Sequence, residues 1–285
     1  MDLVIQSNDL STEAVEAFKV AAVAGRVKRK INSARLVDIQ DDAGTRQATA
    51  ALTRLFQCDA AFVAPHLSLS QFRLLALDMD STLINIESLD EVAALAGKGR
   101  EVAAITEAAM RGEIGNYAES LRQRVAMLAG VDASLLQRVF DEKLRLNPGA
   151  EQLVRGCQAA GLKTLLVTGG FTFFTARMRE RLRMDYTRSN ELGIAEGRLT
   201  GAVTGPDGGV IVDADGKALA VRQVCSELGC ATDKAIVIGD GANDLKMMQL
   251  AGLSVAYRAK PVVQGQAMQT LNHTPLSGVL EWFSD

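Results

Sequence analysis

The sequence predicts an α/β protein with a doubly wound parallel sheet, a helical cap inserted into that core and a small N-terminal α+β domain. Two observations lead to this fold class. Three apolar runs of strand length end abruptly in polar residues or glycine, at Asp78, Thr168 and Gly239. Helix-like stretches lie between these runs, and alternating strands and helices are typical of parallel α/β sheets.

The first of these strands leads into the most informative residues. The run Leu74–Leu77 is followed by Asp78, Asp80 and Thr82. The two-residue period of a strand places the two carboxylates on the same side, where they repel each other unless a cation lies between them. Because ligands bind beyond the carboxyl ends of parallel strands, we expect all three strand ends to converge on a Mg2+ and phosphate site.

Length and composition exclude several classes of function. The 285 residues are 48% hydrophobic with a net charge of -3, which allows a sizeable core and gives no electrostatic reason to expect a nucleic-acid partner. No apolar run reaches the ~20 residues of a membrane span, and the first residues lack the pattern of a signal peptide. The four cysteines lie apart and are expected to be free thiols, so we expect a cytoplasmic protein without a membrane partner.

Residues 1–70 are predicted to form a separate α+β module that ends in a linker. Strands are predicted at 3–5, 34–39 and 61–64, and helices at 12–24 and 45–56. The basic cluster at 26–30 is interpreted as a solvated turn and strand edge rather than an anion site. The hypothesis for this module is a sensing role or the interface of a homodimer.

The main core is predicted to comprise residues 71–85 and 147–285, and residues 86–146 are predicted to form the inserted helical cap. In the cap, the capping-box spacing of Ser88–Glu91 predicts the start of a helix. Gly112 is predicted to close the next helix, and Asn116 to cap the one after it.

After the cap, Asn147 and Pro148 are predicted to be the N-cap and first residue of a core helix. Residues 192–213 are rich in Gly and Thr and predict hairpin strands. Lys217 lies at the start of the next predicted helix, and a further helix is predicted at 244–251.

Four motifs occur together in the order of a known family. They are Asp78-Met-Asp80-Ser-Thr82, Thr168-Gly169-Gly170, Lys217, and Gly239-Asp240-Gly-Ala-Asn243-Asp244. On these motifs the chain resembles the haloacid dehalogenase superfamily. The stretches around Glu87, Met110, Arg124, Phe171 and Lys260 resemble the phosphoserine phosphatases within it. The resemblance covers about residues 74–283, including the cap, and does not reach the first 70 residues.

The resemblance implies phosphoryl transfer, and the chemistry of the residues agrees with it. Asp78 is placed to be the nucleophile, and Asp80 to give a proton to the leaving alkoxide and later take one from water. Mg2+ prefers oxygen ligands, which Asp78, the backbone carbonyl of Asp80 and Asp240 would supply. Asp244 is expected to hold ligands or waters in place without reaching the ion.

Two further sets complete the expected site. Thr168 and the backbone amides of Gly169 and the glycine after it would hold phosphate oxygens. Lys217 would add a positive charge, and Asn243 would donate a further hydrogen bond. In the cap, the resemblance implies that Glu87 meets the ammonium of phosphoserine, Arg124 its carboxylate, and Met110 shields the site. The expected reaction is hydrolysis of O-phospho-L-serine to L-serine and phosphate, the last step of serine biosynthesis.

Each of these residues also has an ordinary structural interpretation. Asp-Gly and Gly-Gly pairs are common in turns, a Lys at a helix start is usually solvated, and Glu87 and Arg124 would suit helical charge pairs. The order of four motifs on strand ends favours the functional interpretation. Two positions depart from the family: Thr168 stands where Ser is usual, and Tyr117 where Phe is common.

Two alternative functions stay open at this point. The chain would be a phosphatase or phosphotransferase of the same superfamily acting on another small phosphomonoester, such as phosphothreonine. Alternatively, it would be a serine-sensing regulatory protein whose phosphatase activity is secondary. Turnover of a different ester would favour the first, and serine binding by the N-terminal module alone would favour the second.

Overall fold

The chain forms two β-sheets, and helices cover both of them. The computed structural model describes residues 1–111 and 113–284. In that part of the chain the strands are β1 (Asp2–Gln6), β2 (Arg26–Arg29), β3 (Ser33–Val37), β4 (Asp59–Val63), β5 (Leu74–Leu77), β6 (Lys163–Phe171), β7 (Tyr186–Ala195), β8 (Arg198–Thr204), β9 (Ala235–Gly239), β10 (Leu253–Tyr257) and β11 (Gln269–Leu271). The α-helices are α1 (Thr12–Ala21), α2 (Ala43–Phe56), α3 (Ser88–Leu95), α4 (Gly99–Met110), α5 (Tyr117–Ala126), α6 (Ser134–Arg138), α7 (Ala150–Ala159), α8 (Thr172–Leu182), α9 (Ala214–Glu227), α10 (Leu245–Met248) and α11 (Pro261–Gln264).

The larger sheet carries the three predicted strand ends side by side. Its strand order is β11-β10-β9-β5-β6-β7-β8, and the pairs are parallel except for the hairpin of β7 and β8. The residues of β5 and β9 are buried without exception. Their unbroken apolar character is explained by burial on both faces, which confirms the predicted doubly wound α/β core.

The smaller, antiparallel sheet has the order β2-β3-β1-β4. Leu3 and Ile5 pack on one face with α1 and α2, whereas Val4, Ala61 and Val63 pack on the other face with the main core. The predicted module of residues 1–70 contacts the main core, because alternate side chains of β1 and β4 belong to two different clusters. The basic cluster forms most of β2, at the exposed edge of this sheet.

The cap joins the core through two adjacent connections. Ile84 and Leu146 form an antiparallel bridge, and the Asn85 amide donates to the Arg145 carbonyl at 3.0 Å. Between these connections lie α3, α4, α5 and α6. Asn116 caps α5 as predicted, since its side chain accepts from the Glu119 amide at 2.9 Å. The predicted role of Gly112 lies outside the described residues.

Two helices are capped differently from the prediction. α3 does begin at Ser88, but the Ser88 hydroxyl donates to Asp80 at 3.1 Å instead of accepting within its own helix. The N-cap of α7 is Gly149 rather than Asn147. In addition, the helix predicted at 244–251 is shorter and begins with a 3-10 turn. Among the described residues, no helix combines the length and apolar character needed to cross a bilayer.

Candidate active site

Three strand ends meet at one edge of the larger sheet. Asp78 follows β5, which lies between β6 and β9, so its neighbours at this edge are Thr168 and Asp240. Asp78, Thr168 and Asp240 all line one cavity of about 860 Å3, which also extends under the cap. The convergence predicted from the three runs is therefore present.

Asp78 is held by a buried lysine. Lys217 Nζ donates to Asp78 Oδ1 at 2.6 Å and to Asp244 Oδ1 at 2.7 Å, and the lysine side chain is only 1% exposed. Although burial lowers the pKa of Lys217, the carboxylates of Asp244 and Asp78 raise it overall, so the ammonium stays charged. Asp78 Oδ2 has no hydrogen-bond partner within the described residues, which leaves one carboxylate oxygen available for chemistry.

A cluster of carboxylates surrounds this ion pair. One oxygen each of Asp78, Asp240 and Asp244 lies within 4.8 Å of the others. Burial and the negative charges of Asp244 and Glu87 raise the pKa of Asp240 to about 6, against a hydrogen bond from Thr82. Burial also raises the pKa of Asp78, which the charge of Lys217 opposes. One lysine leaves three close carboxylates with excess negative charge, and this oxygen-rich set fits a divalent cation.

Asp244 is occupied by hydrogen bonds in a way that Asp240 is not. Its Oδ1 accepts from Lys217, and its Oδ2 accepts from the amides of Asp240 and Gly241 at 3.2 and 3.0 Å. Asp240 Oδ1 instead accepts from the Thr82 hydroxyl at 2.8 Å. Both oxygens of Asp244 are thus used to hold its neighbours.

Asp80 lies two residues from Asp78 but faces the cap. Its carboxylate accepts from the amide and hydroxyl of Ser88, at the start of α3. Burial and the negative charge of Glu87 raise the pKa of Asp80 to about 8, and the Ser88 hydrogen bonds oppose the shift. The raised pKa favours the protonated form of Asp80, which accepts from Ser88 and lies in no ion pair of the described residues, whereas Asp78 pairs with Lys217. The two carboxylates thus face different surroundings.

One corner of the cavity is built from β6. The Gly170 amide donates to Thr168 Oγ1 at 2.9 Å, which leaves the threonine proton free to donate to a ligand. The Gly169 carbonyl accepts from Asn190 Nδ2 at 2.8 Å, and this bond fixes the plane of the Gly169–Gly170 peptide. A Cβ at Gly169 would collide with the Tyr117 ring and hydroxyl, so the cap approaches the backbone here as only glycine permits.

The cap supplies the other wall of the cavity. Glu87, Met110 and Arg124 all line it, as does Asn243 from the core. Glu87 Oε1 accepts from the Ser81 hydroxyl at 2.7 Å, and Arg124 Nε makes a long bond of 3.4 Å to the Ser120 carbonyl. Met110 is 68% exposed. The structure thus brings the predicted substrate-binding residues to the same cavity as Asp78 and Asp80.

A family comparison agrees with this geometry. The sequence pattern of the haloacid dehalogenase-like hydrolases matches residues 75–249, which is more than half of the chain and includes the strand ends just described. The chain belongs to the haloacid dehalogenase-like hydrolases. This hydrolase family is generally metal-dependent, in agreement with the acidic cluster.

Relatives and solved structures extend the similarity. A phosphoserine phosphatase from Polaromonas sp. is 57% identical over 217 residues, 76% of this hydrolase and 92% of the relative. A probable phosphoserine phosphatase from Vibrio cholerae, solved without ligand, is 32% identical with a TM-score of 0.85. The similarity covers 99% of this chain and 86% of the Vibrio chain. A hydrolase of the same family from Salmonella enterica serovar Typhi is 27% identical with a TM-score of 0.89. The similarity covers 100% of this chain and 98% of the Salmonella chain. The structural similarity therefore includes the first 70 residues, which the sequence motifs do not reach.

Sequence reasoning missed several residues that hold the site of this hydrolase together. Ser88 orients Asp80, Asn190 fixes the Gly169 carbonyl, and Asn147 contacts the backbone next to Asp80. Thr82 was noted within the motif but was given no role, and it donates to Asp240. One signal was available: Ser88 and Asn147 carry polar side chains at the two places where the chain enters and leaves the cap.

Proposed function

We propose that this hydrolase is a Mg2+-dependent phosphoserine phosphatase that acts in the cytoplasm on O-phospho-L-serine and releases L-serine and phosphate. One observation carries the proposal. Asp78, paired with a lysine, and Asp80, whose pKa is raised, share a cavity with one acidic and one basic cap residue, Glu87 and Arg124. The names of the Polaromonas and Vibrio cholerae proteins support the same substrate.

In the first step, Asp78 Oδ2 attacks the phosphorus atom, and an acyl-phosphate bond forms as the bond to the serine oxygen breaks. Lys217 favours the ionised form of the attacking carboxylate and fixes it through Oδ1. Asp80 transfers its proton to the departing serine oxygen, which leaves as the alcohol. The surroundings that raise the pKa of Asp80 are therefore those that an acid in this step requires.

In the second step, Asp80 is the base. Now deprotonated, it takes a proton from a water molecule whose oxygen attacks the same phosphorus atom. The acyl-phosphate bond breaks, phosphate leaves, and Asp78 regains its carboxylate. Both residues return to their starting states, so the cycle consumes one water per ester.

The proposed Mg2+ ligands are Asp78, the backbone carbonyl of Asp80 and Asp240. A bound Mg2+ would neutralise negative charge on the phosphoryl oxygens. Asp244 would hold Lys217 and the Asp240 and Gly241 amides in place, since both of its oxygens are already used. Excess negative charge in the buried cluster supports this assignment.

Thr168, the Gly169 amide, Asn243 and Lys217 are the proposed ligands of the phosphoryl group. The Thr168 proton is free to donate, and Asn243 lines the cavity beside Asp240. In the cap, Glu87 would select the substrate ammonium and Arg124 its carboxylate, because a guanidinium binds a carboxylate through two parallel hydrogen bonds. Met110 would cover the bound serine when the cap closes.

These roles divide the chain into three proposed parts. Residues 71–85 and 147–285 would be the catalytic core, residues 86–146 the selecting cap, and residues 1–70 a module that pairs in a homodimer. Light scattering coupled to size-exclusion chromatography measures the molar mass and tests the dimer. A monomeric mass at micromolar concentration would contradict it.

Phosphate release in the presence of Mg2+ tests the function. The panel comprises O-phospho-L-serine, phosphothreonine, phosphoglycolate and a sugar phosphate, and we expect a preference of at least about 10-fold for phosphoserine. Asp78→Asn keeps the size of the side chain and should lower kcat at least about 1,000-fold, and EDTA should also abolish turnover. Faster turnover of another ester would contradict phosphoserine as the substrate, and full activity of Asp78→Asn would contradict Asp78 as the nucleophile.

A further inference from the structure

The side-chain amide of Asn147 makes an unusual set of contacts. Its Nδ2 lies 3.2 Å from the Ser81 carbonyl oxygen, 2.8 Å from that of Thr82 and 3.0 Å from that of Ile84. Its backbone amide donates to the Leu83 carbonyl at 2.9 Å. Asn147 is 8% exposed, so these bonds are shielded from water. One residue therefore holds four consecutive carbonyls of the segment 81–84.

This segment overlaps the turn Met79–Leu83, which carries Asp80. Within the turn, Ser81 has a φ of 57°, a left-handed conformation that a non-glycine residue adopts at an energetic cost. The neighbouring side chains of this segment reach both sides of the site, since Ser81 donates to Glu87 and Thr82 donates to Asp240. Movement of the turn backbone would therefore displace Asp80 from both the core and the cap.

Asn147 is also the point at which the chain returns from the cap to the core. It follows Leu146, whose bridge to Ile84 forms the connection between the two parts. The Asn147 amide is directed at the turn, and α7 is capped by Gly149. A helix cap at Asn147 would have been a local role, and the observed contacts span more than 60 residues of sequence.

We propose that Asn147 is a positioning residue for the acid step, which holds the Met79–Leu83 turn so that Asp80 reaches the leaving oxygen. The inference rests on the proposed phosphatase function. Asn147 does not touch the substrate and acts only through the turn backbone. Its side-chain amide supplies donors to the buried Thr82 and Ile84 carbonyls, so losing it would leave buried acceptors without this donor and would favour a change in the strained turn.

The leaving group separates this role from a merely structural one. An alcohol needs a proton as it departs, whereas the acetate released from acetyl phosphate does not. We compare kcat/KM, which covers the steps up to cleavage of the ester bond, for phosphoserine and for acetyl phosphate. Asn147→Ala should lower kcat/KM about 10-fold or more for phosphoserine and less than about 3-fold for acetyl phosphate. Asp80→Asn is the reference and should show the same selectivity more strongly.

Two further variants keep the test decisive. Asn85→Ala removes a hydrogen bond of 2.8 Å to the Arg145 amide at the same hinge, without contacting the turn carbonyls, and should change both substrates equally and little. Asn147→Ser retains one donor and serves if the alanine variant does not fold; its substrate selectivity should lie between wild type and Asn147→Ala.

Equal losses for both substrates in the Asn147 variants would overturn the proposal, and so would unchanged kinetics. The proposed function fails separately. If the wild-type protein hydrolyses a different alkyl ester, the comparison with acetyl phosphate is made with that ester, and the leaving-group effect still decides the role of Asn147.

Discussion

The floor of the active site and its cap wall are held in opposite ways. The floor, formed by Asp78, Lys217, Asp240 and Asp244, is tied by short hydrogen bonds, and three of its side chains are at most 8% exposed. The cap wall comprises Glu87, Met110 and Arg124. Met110 is 68% exposed, and the hydrogen bond of Arg124 to the Ser120 carbonyl is long.

This difference follows from what each region has to do. Buried charges are stable only with partners, so the floor must be assembled before the substrate arrives, and it stays preorganised for phosphoryl transfer. The cap wall has to admit the substrate and then contact it. On the proposed function, its charged groups would form their main contacts only when the substrate binds. The floor would then determine the reaction type, and the cap wall the choice of substrate.

The largest expected effect comes from breaking the floor. Lys217→Met keeps an apolar stem of similar length but leaves Asp78 and Asp244 buried without their cation. We expect a loss of roughly 3–5 kcal/mol in the free energy of unfolding and a fall of about 100-fold or more in kcat. Urea denaturation and steady-state kinetics measure the two quantities.

Lys246→Met is the matched control. Lys246 pairs with Asp215 at 2.7 Å, but both side chains are more than half exposed. The same chemical change should there cost less than about 1 kcal/mol and leave kcat unchanged. Similar losses in the two variants would contradict the distinction between floor and surface.

The cap wall should respond in substrate binding rather than in stability. Arg124→Ala removes the expected partner of the substrate carboxylate, and we expect kcat/KM for phosphoserine to fall about 10- to 100-fold. Phosphoethanolamine lacks that carboxylate, so its hydrolysis should be nearly insensitive to the change. Thermal melting should be unaltered.

Arg122→Ala, an exposed residue on the same helix, is the control for the cap wall. It should leave both substrates unaffected. An equal loss on phosphoserine and phosphoethanolamine in Arg124→Ala would show that Arg124 does not read the carboxylate.

The smallest effect concerns the metal in the floor. Burial raises the pKa of Asp240 to about 6, above its value in an unfolded chain, so this group makes the metal-free protein less stable as the pH rises from about 4 to about 6. A Mg2+ ion bound by Asp240, as proposed, would compete with that proton. We therefore expect Mg2+ to raise the melting temperature by a few degrees more at about pH 7.5 than at about pH 5.

Differential scanning fluorimetry with and without Mg2+ measures this difference. Asp240→Asn removes the titrating group and should reduce the shift at both pH values. A shift in wild type that is independent of pH would mean that Asp240 does not bind the ion.

The strand ends were predictable from the sequence, and the bonds across the cap hinge were not. An unbroken apolar run followed by Asp78 or Asp240 requires only local periodicity to interpret. Ser88 and Asn147 have the residue types of helix caps, and local rules assign them that role. In the structure Ser88 binds Asp80 and Asn147 binds the turn after β5, because the chain passes twice through one hinge.

Asn190 illustrates the same limit more strongly. Its side-chain Nδ2 donates to the Gly169 backbone carbonyl, and its side-chain Oδ1 accepts from the Val212 backbone amide at 2.7 Å. Nothing in its neighbourhood along the chain indicates either partner, since both are 21 or more residues away. The fold creates that role, and a sequence pattern predicts only that strands of this length will be buried.

The contacts of the smaller sheet have a consequence for how the protein is made. Asp59 accepts hydrogen bonds from the amides of Asn272, His273 and Thr274, and the Phe62 carbonyl of β4 accepts from Gln269. Asp59 and Thr274 are separated by 215 positions in the chain. At 5–20 residues per second, a ribosome needs roughly 10 to 40 s to synthesise the segment that completes these contacts. During that interval the nascent chain presents Val4, Ala61 and Val63 without their final cover, so an apolar face stays open until synthesis is nearly complete.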